Sequence, residues 1–176
     1  ASLVGSEMCI RDRYKLVFVS SGGGTNAISS LLEVPGASNT VLESYIPYSK
    51  ESMNEFLNIK PDHYCSLETC LSMAANAFKK SRIISSKTKS KYLLGISITA
   101  NLATTYEKKG DHKFFIVVQT DSYTKYLECF IDKGKRTREE EEELITGCVI
   151  HLLAESCHLK YDLPKIQEEI KINQVD

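Results

Sequence analysis

Ser20-Ser21-Gly22-Gly23-Gly24-Thr25-Asn26 is the stretch that decides how this chain is read. It follows the apolar run Leu16-Val17-Phe18-Val19 and precedes Ala27-Ile28-Ser29-Ser30-Leu31-Leu32, whose apolar spacing suits a helix. A strand, a glycine-rich turn and a helix in that order set backbone N–H groups and a helix N-terminus around an anion. Two serines also stand at the entry to the turn. The segment is therefore suited to hold a phosphate, to present a nucleophile, or simply to turn a corner.

Composition narrows the setting. A chain of 176 residues fits one domain and can bury a real core. With 42% hydrophobic and 26% charged residues it has the balance of an ordinary globular protein. A net charge of −1 argues against an extended nucleic-acid surface. No apolar run approaches the ~20 residues of a membrane span. The cysteines Cys9, Cys65, Cys70, Cys129, Cys148 and Cys157 contain no CxxC pair. Cys148 and Cys157 fall in an apolar helical pattern, as buried thiols do. The expected compartment is reducing, the cytoplasm. The spacing of Cys65 and Cys70 is not that of zinc ligands, so no metal is expected. Residues 1–13 have neither a strand nor a helix period and no signal-peptide core. They look like a translated sequencing adapter, and the natural chain is expected from about Tyr14.

Tyr14 to Val19 reads as a buried strand, and Ala27 to Glu33 as a helix with Ala27, Ile28, Leu31 and Leu32 on one face. Val34-Pro35-Gly36-Ala37-Ser38 is a turn, and Val41 to Ile46 a second strand that Pro47 ends. Ser49 is placed to cap a helix from Lys50 to Leu57, and Ser66 or Leu67 to open one reaching about Ser81. Ser85 to Lys91 is a basic, serine-rich loop. Three strands follow: Tyr92 to Thr99, Phe114 to Thr120 and Tyr126 to Ile131. Asp121-Ser122 lies between the last two, which predicts an antiparallel hairpin. Thr137-Arg138-Glu139-Glu140 fits a capping box. The helix it opens carries Leu144, Ile145, Cys148, Val149, Leu152 and Leu153 on one stripe to about His158. The glutamates from Glu139 to Glu143 sit at its positive end and read as a solvated, dipole-matched face. Residues 160–176 read as a polar tail or linker. The expected fold is a three-layer α/β sandwich over residues 14–159, with a mixed sheet of about five strands and helices on both faces. Ligands of such sheets sit outside the carboxyl ends of strands, which would gather residues 20–26, 48–50 and 99–105.

Several pieces in this order resemble a known family. They are Val19-Ser20-Ser21-Gly22-Gly23-Gly24, Val34-Pro35-Gly36-Ala37-Ser38, Tyr48-Ser49, Met73-Ala74-Ala75, Thr99-Ala100-Asn101-Leu102-Ala103 and Gly134-Lys135-Arg136. The family is that of the CinA carboxy-terminal domain, which includes nicotinamide-nucleotide amidohydrolases. Tyr64-Cys65-Ser66, Gly110-Asp111-His112 and Arg136-Thr137-Arg138-Glu139-Glu140-Glu141 are most similar to its eukaryotic branch, where the domain often precedes a nucleotidylyltransferase domain. The resemblance implies hydrolysis of the carboxamide of nicotinamide mononucleotide to acid and ammonia, in pyridine-nucleotide salvage, without metal or cofactor. It also implies a pyridine nucleotide as ligand, self-association as an option, and a nucleotidylyltransferase as fused partner.

Residue by residue, the family's serine nucleophile corresponds to Ser21, or to Ser20 if one glycine is inserted. Its tyrosine corresponds to Tyr48. Its lysine position holds Met53, and a thioether cannot take a serine proton. Lys50 shares a helix face with Met53, about 4.5 Å along the axis, and is the substitute base within reach. The glycine after Thr99 is Ala100, followed by Asn101. Gly22, Gly23, Gly24, Thr25, Thr99, Asn101 and Arg136 complete the candidate binding set. Tyr48 would stack on a ligand ring or cap the core. Arg136 would pair with a phosphate or lie solvated. His112 would serve as an acid–base group or brace its loop. His151 and His158 read as structural. No triad order of Ser, His and Asp and no Walker lysine is present. Two readings follow: an amidohydrolase using Ser21 with Lys50 or Tyr48, and a catalytically silent nucleotide-binding or oligomerising domain.

Overall fold

The computed structural model describes residues 13–176. Nearly all of the segment read as an adapter product therefore lies outside the described residues. The chain runs β1 (Lys15–Ser21), α1 (Thr25–Leu32), β2 (Val41–Tyr45), α2 (Lys50–Leu57), α3 (Leu67–Ile84), β3 (Leu93–Asn101), β4 (His112–Gln119), β5 (Thr124–Ile131), α4 (Arg138–Ser156) and β6 (Ile170–Val175). One six-stranded sheet has the order β2-β1-β3-β4-β5-β6. Its first three strands are parallel, and β4, β5 and β6 continue it antiparallel.

The continuous apolar run in β1 reflects cover on both faces. Leu16 and Phe18 pack with α1 and α4, while Val17 and Val19 pack with Met53 of α2 and Met73 and Ala77 of α3. Gly95 lets α3 approach β3 closely. A Cβ there would lie 2.4 Å from the Ala74 carbonyl oxygen and from Phe78 N. Beside it, Ser97 Oγ donates to the Cys70 carbonyl at 2.6 Å, which fastens the same helix to the sheet.

Local signals mark the helix starts. The side chains of Ser49 and Ser66 accept from Ser52 N–H and Thr69 N–H. Thr137 and Glu140 form the reciprocal capping box. Two expectations are corrected. Residues 170–175 are not a free tail but form β6, paired with β5 from Cys129↔Ile170 to Thr124↔Val175. Leu163, Ile166, Ile170 and Ile172 pack on the α1/α4 core, so the segment before β6 is part of the domain. Ile170-Lys171-Ile172-Asn173 does alternate, but too briefly to outweigh the polar composition around it. The second correction concerns Cys157, which is disulfide-bonded rather than a thiol; Cys65, Cys70, Cys129 and Cys148 are free. Among the described residues no helix is long and apolar enough to cross a membrane.

Candidate functional site

The carboxyl ends of β1, β2 and β3 converge as the topology requires. Parallel register sets Ser21 beside Thr99. Ser21 Oγ donates to the Pro47 carbonyl at 3.0 Å, which ties the end of β1 to the segment leaving β2. Thr99 Oγ1 donates to the Tyr64 carbonyl at 2.9 Å and draws in the loop before α3. The Tyr64 hydroxyl in turn donates to Asn54 Oδ1 at 2.8 Å, and the Lys50 ammonium lies 5.7 Å from the Tyr64 ring centre. Asn101 donates to the Asp111 carbonyl and accepts from Lys108 Nζ, both at 2.8 Å. Lys50, Tyr64, Asn101, Lys113 and Phe130 then line an open cavity of about 810 Å3.

These contacts assign the candidate side chains unevenly. Lys50 and Asn101 share the cavity, whereas Ser21 is not among its lining residues. Tyr48 is 68% exposed and caps no core. Ser20 is fully buried, and its hydroxyl donates to the Gly23 carbonyl within the turn. Met53 is a core residue against Val17, Val19 and Met73. The hydroxyl proton of Ser21 thus rests on a backbone carbonyl, and among the described residues no amine or imidazole is bonded to it.

The glycine turn has the backbone expected of an anion cradle. Gly22 and Gly24 have φ of +78° and +95°. A Cβ on Gly22 would fall 2.0 Å from the Ala100 carbonyl oxygen, so the turn presses directly on β3. Its donor, however, is already met from within the chain. Gly24 N–H donates to Glu142 Oε2 at 2.8 Å. Arg138 donates to the Gly22 carbonyl at 2.8 Å and to the Ala103 carbonyl at 3.3 Å. The first turn of α4 therefore clasps the glycine turn with one cation and one carboxylate.

Glu141 is fully buried, unlike a solvated helix face, and accepts Ala103 N–H at 2.6 Å. Its other oxygen meets His112 Nδ1 at 3.3 Å. Arg136, expected to meet a phosphate, is already paired. Its guanidinium donates through both terminal nitrogens to Glu168, which also takes Asp132 N–H and Lys135 Nζ. These donors hold the Glu168 carboxyl well below the usual carboxylate range and raise Arg136 in turn.

Arg138, Glu141, Glu142 and Glu168 were thus missed as parts of the site. One signal was available: Glu141 stands three and four residues before Leu144 and Ile145, so it continues the apolar stripe. Burial pushes the Cys65 thiol up and Cys70 to about 12, and neither is a ready thiolate.

A mixed sheet with helices on both faces and a glycine-rich turn after its first strand defines a layered α/β protein, with the candidate site at the carboxyl ends of its parallel strands. More particularly, the fold is one shared with several solved CinA-superfamily proteins. The chain superposes on the competence/damage-inducible protein CihA from Agrobacterium tumefaciens with a TM-score of 0.71 and 15% identity, covering 88% of this chain and 94% of that one. A CinA-superfamily protein from Klebsiella pneumoniae gives 0.68 and 12%, covering 89% and 96%. A competence or damage-inducible protein from Enterobacter asburiae gives 0.69 and 13%, covering 88% and 95%. No family model and no curated protein matches the sequence.

Proposed function

We propose that this chain is a nicotinamide-nucleotide amidohydrolase-like domain that binds a pyridine nucleotide at the carboxyl ends of β1 to β3 and no longer hydrolyses it. Its role is then accessory to a nucleotidylyltransferase. The observation that carries this reading is the state of Ser21: its hydroxyl donates to the Pro47 carbonyl, and the expected lysine is Met53, packed in the core. A serine without a base is a weak nucleophile, and loss of a general base costs roughly 10²–10⁴ in rate. The ligand end of the site is better supplied. The Lys50, Asn101 and Lys113 side chains and the Tyr64 and Phe130 rings line a cavity suited to a cationic ring bearing an anionic group.

A second reading, hydrolysis by Ser21, has one observation in its favour: Ser21 stands beside Thr99, and Lys50 lies on the same sheet end. Ammonia release from nicotinamide mononucleotide decides between them, read together with binding of the same nucleotide by calorimetry. Binding without release supports the silent domain. Release that is lost in Ser21→Ala and Lys50→Ala supports hydrolysis. Neither binding nor release by a folded protein refutes both.

A further inference from the structure

Charge is unevenly spread along this chain. Between Glu68 and Glu107 the sequence has no acidic residue, yet it has six cations: Lys79, Lys80, Arg82, Lys87, Lys89 and Lys91. The rest of the chain carries −7, so a net charge of −1 conceals a strongly basic segment. That segment is the end of α3 and the turns that lead into β3. All six cations are exposed. Among the described residues none of them forms an ion pair. Two acids border the segment. Asp121 accepts from Ser90 Oγ at 3.0 Å, and Glu43 stands beside Tyr45, whose ring lies 5.1 Å from the Lys80 ammonium. The lysines after α3 are carried on ordered backbone. Thr88 N–H donates to the Ser85 carbonyl at 3.0 Å, and Tyr92 N–H to the Lys89 carbonyl at 2.9 Å. The Ser85 and Thr88 hydroxyls share a further bond of 2.6 Å.

Two large aliphatic side chains stand among these charges. Ile83 is 66% exposed and Ile84 is 47% exposed. They follow Lys79 and Lys80 by four residues, so each isoleucine shares a helix face with a lysine. α3 turns Met73, Ala74, Ala77 and Ser81 inward instead, and neither isoleucine belongs to a core cluster. Charge alone would be an ordinary solvated face. Cations set around bare branched chains are the composition of a surface that lies on anionic lipid, with ammonium groups at the headgroups and aliphatic groups at the acyl boundary. A nucleic acid fits less well, because unpaired bases stack on aromatic rings. The rings at this segment, Tyr45 and Tyr92, are covered by Lys80 and Lys91 at 5.1 and 5.0 Å. The segment enters β3 at its amino end, whereas the candidate site lies at the carboxyl ends of β1 to β3. A bilayer against the one leaves the other open to water.

We infer that the end of α3 and the turns into β3 form a docking surface for an anionic lipid bilayer. Ile83 and Ile84 enter the headgroup boundary, and the six cations meet acidic headgroups. Attachment of this kind is peripheral and reversible, and it needs no spanning helix. The inference does not depend on the pyridine-nucleotide reading of the Lys50 groove.

The test is co-sedimentation of the full chain with vesicles of phosphatidylcholine and phosphatidylserine in a three-to-one ratio, with pure phosphatidylcholine as control. The expected result is saturable binding to the mixed vesicles that weakens as salt rises, and none to the pure ones. One cation near such a surface is worth about fivefold, so Lys87→Gln, Lys89→Gln and Lys91→Gln together should weaken binding about a hundredfold. Ile83→Ser with Ile84→Ser leaves the charge unchanged and should weaken it about tenfold. All five positions are exposed, so these variants keep the fold. The chain has no tryptophan, so Ile83→Trp adds a single emitter. Its fluorescence should shift to the blue on the mixed vesicles.

No binding to the mixed vesicles overturns the inference, as does equal binding to both kinds. Full affinity in the isoleucine variant, or an unshifted emission from Ile83→Trp, reduces the segment to a charged face and overturns it too. Displacement from vesicles by free glycerophosphoserine would mean a headgroup pocket. Tighter binding of a single-stranded oligonucleotide would mean a nucleic-acid surface. Either result sinks the bilayer reading.

Discussion

Glu168→Gln isolates the best-paired carboxylate of the domain. Glu168 is 4% exposed at its side chain and Arg136 is 13% exposed, and two hydrogen bonds of 2.5 and 3.0 Å join them. The substitution keeps the shape, removes the charge, and leaves a largely buried Arg136 without its counter-ion. Breaking one side of such a pair costs about 3–5 kcal/mol. Arg136 keeps some water, so the expected loss is about 3 kcal/mol, at the low end. For a domain of this size that is a fall in Tm of about 6–12 °C.

Urea unfolding of wild type and variant, repeated from pH 7 downward, tests both the size and the origin of the loss. The folded carboxyl is depressed below its unfolded value of about 4.3. Its contribution is therefore complete above about pH 4.3 and is lost only as pH falls from there through the folded pKa. The gap between wild type and variant should stay level down to about pH 4.3 and close below it. A gap under about 0.5 kcal/mol at pH 7, within the range of ordinary surface changes, would refute the reasoning. So would a gap already closed at about pH 4.3.

Three further outcomes are expected. Gly22→Ala combines a left-handed backbone with a Cβ placed 2.0 Å from the Ala100 carbonyl oxygen. It should cost about 3 kcal/mol or more in chemical denaturation, and a loss below about 1 kcal/mol would contradict the packing described. Met53→Ala should cost about 2–5 kcal/mol, as expected for a core residue, and a neutral result would mean that the side chain is not core. Iodoacetamide at pH 8 should label Cys65 before Cys70, which is fully buried and pushed up to about 12. Peptide mass spectrometry showing Cys70 modified at the same rate in the native protein would go against the assignment.

Much of the scaffold was legible because local rules and tertiary packing agree there. The Leu16 to Val19 run, the Ser49 and Ser66 caps and the Thr137 capping box each name an element that the fold contains. α3 runs a little past its expected end, to Ile84 rather than about Ser81. The convergence of the strand ends was also legible, since parallel order alone places Ser21 beside Thr99. Side-chain partners were not. Glu142 meets Gly24 across 118 residues, and Glu168 meets Arg136 across 32. No local pattern distinguishes these glutamates from their solvated neighbours. β6 was hidden for a related reason: a short edge strand buries little, and Ile170 and Ile172 are its inward residues.

The clasp between Glu142 and Gly24 also sets a rule of exchange. An anion that takes the Gly24 N–H must first evict a carboxylate belonging to the first turn of α4. Ligand and helix end then compete for one donor, and competition of this kind is reciprocal. Whatever factor the docked helix end takes from the anion's affinity, the bound anion takes equally from the docking of that helix end. Occupancy of the turn would thus be reported at Arg138 and Glu142 as a loosening, in a helix that begins 7 residues after the end of β5.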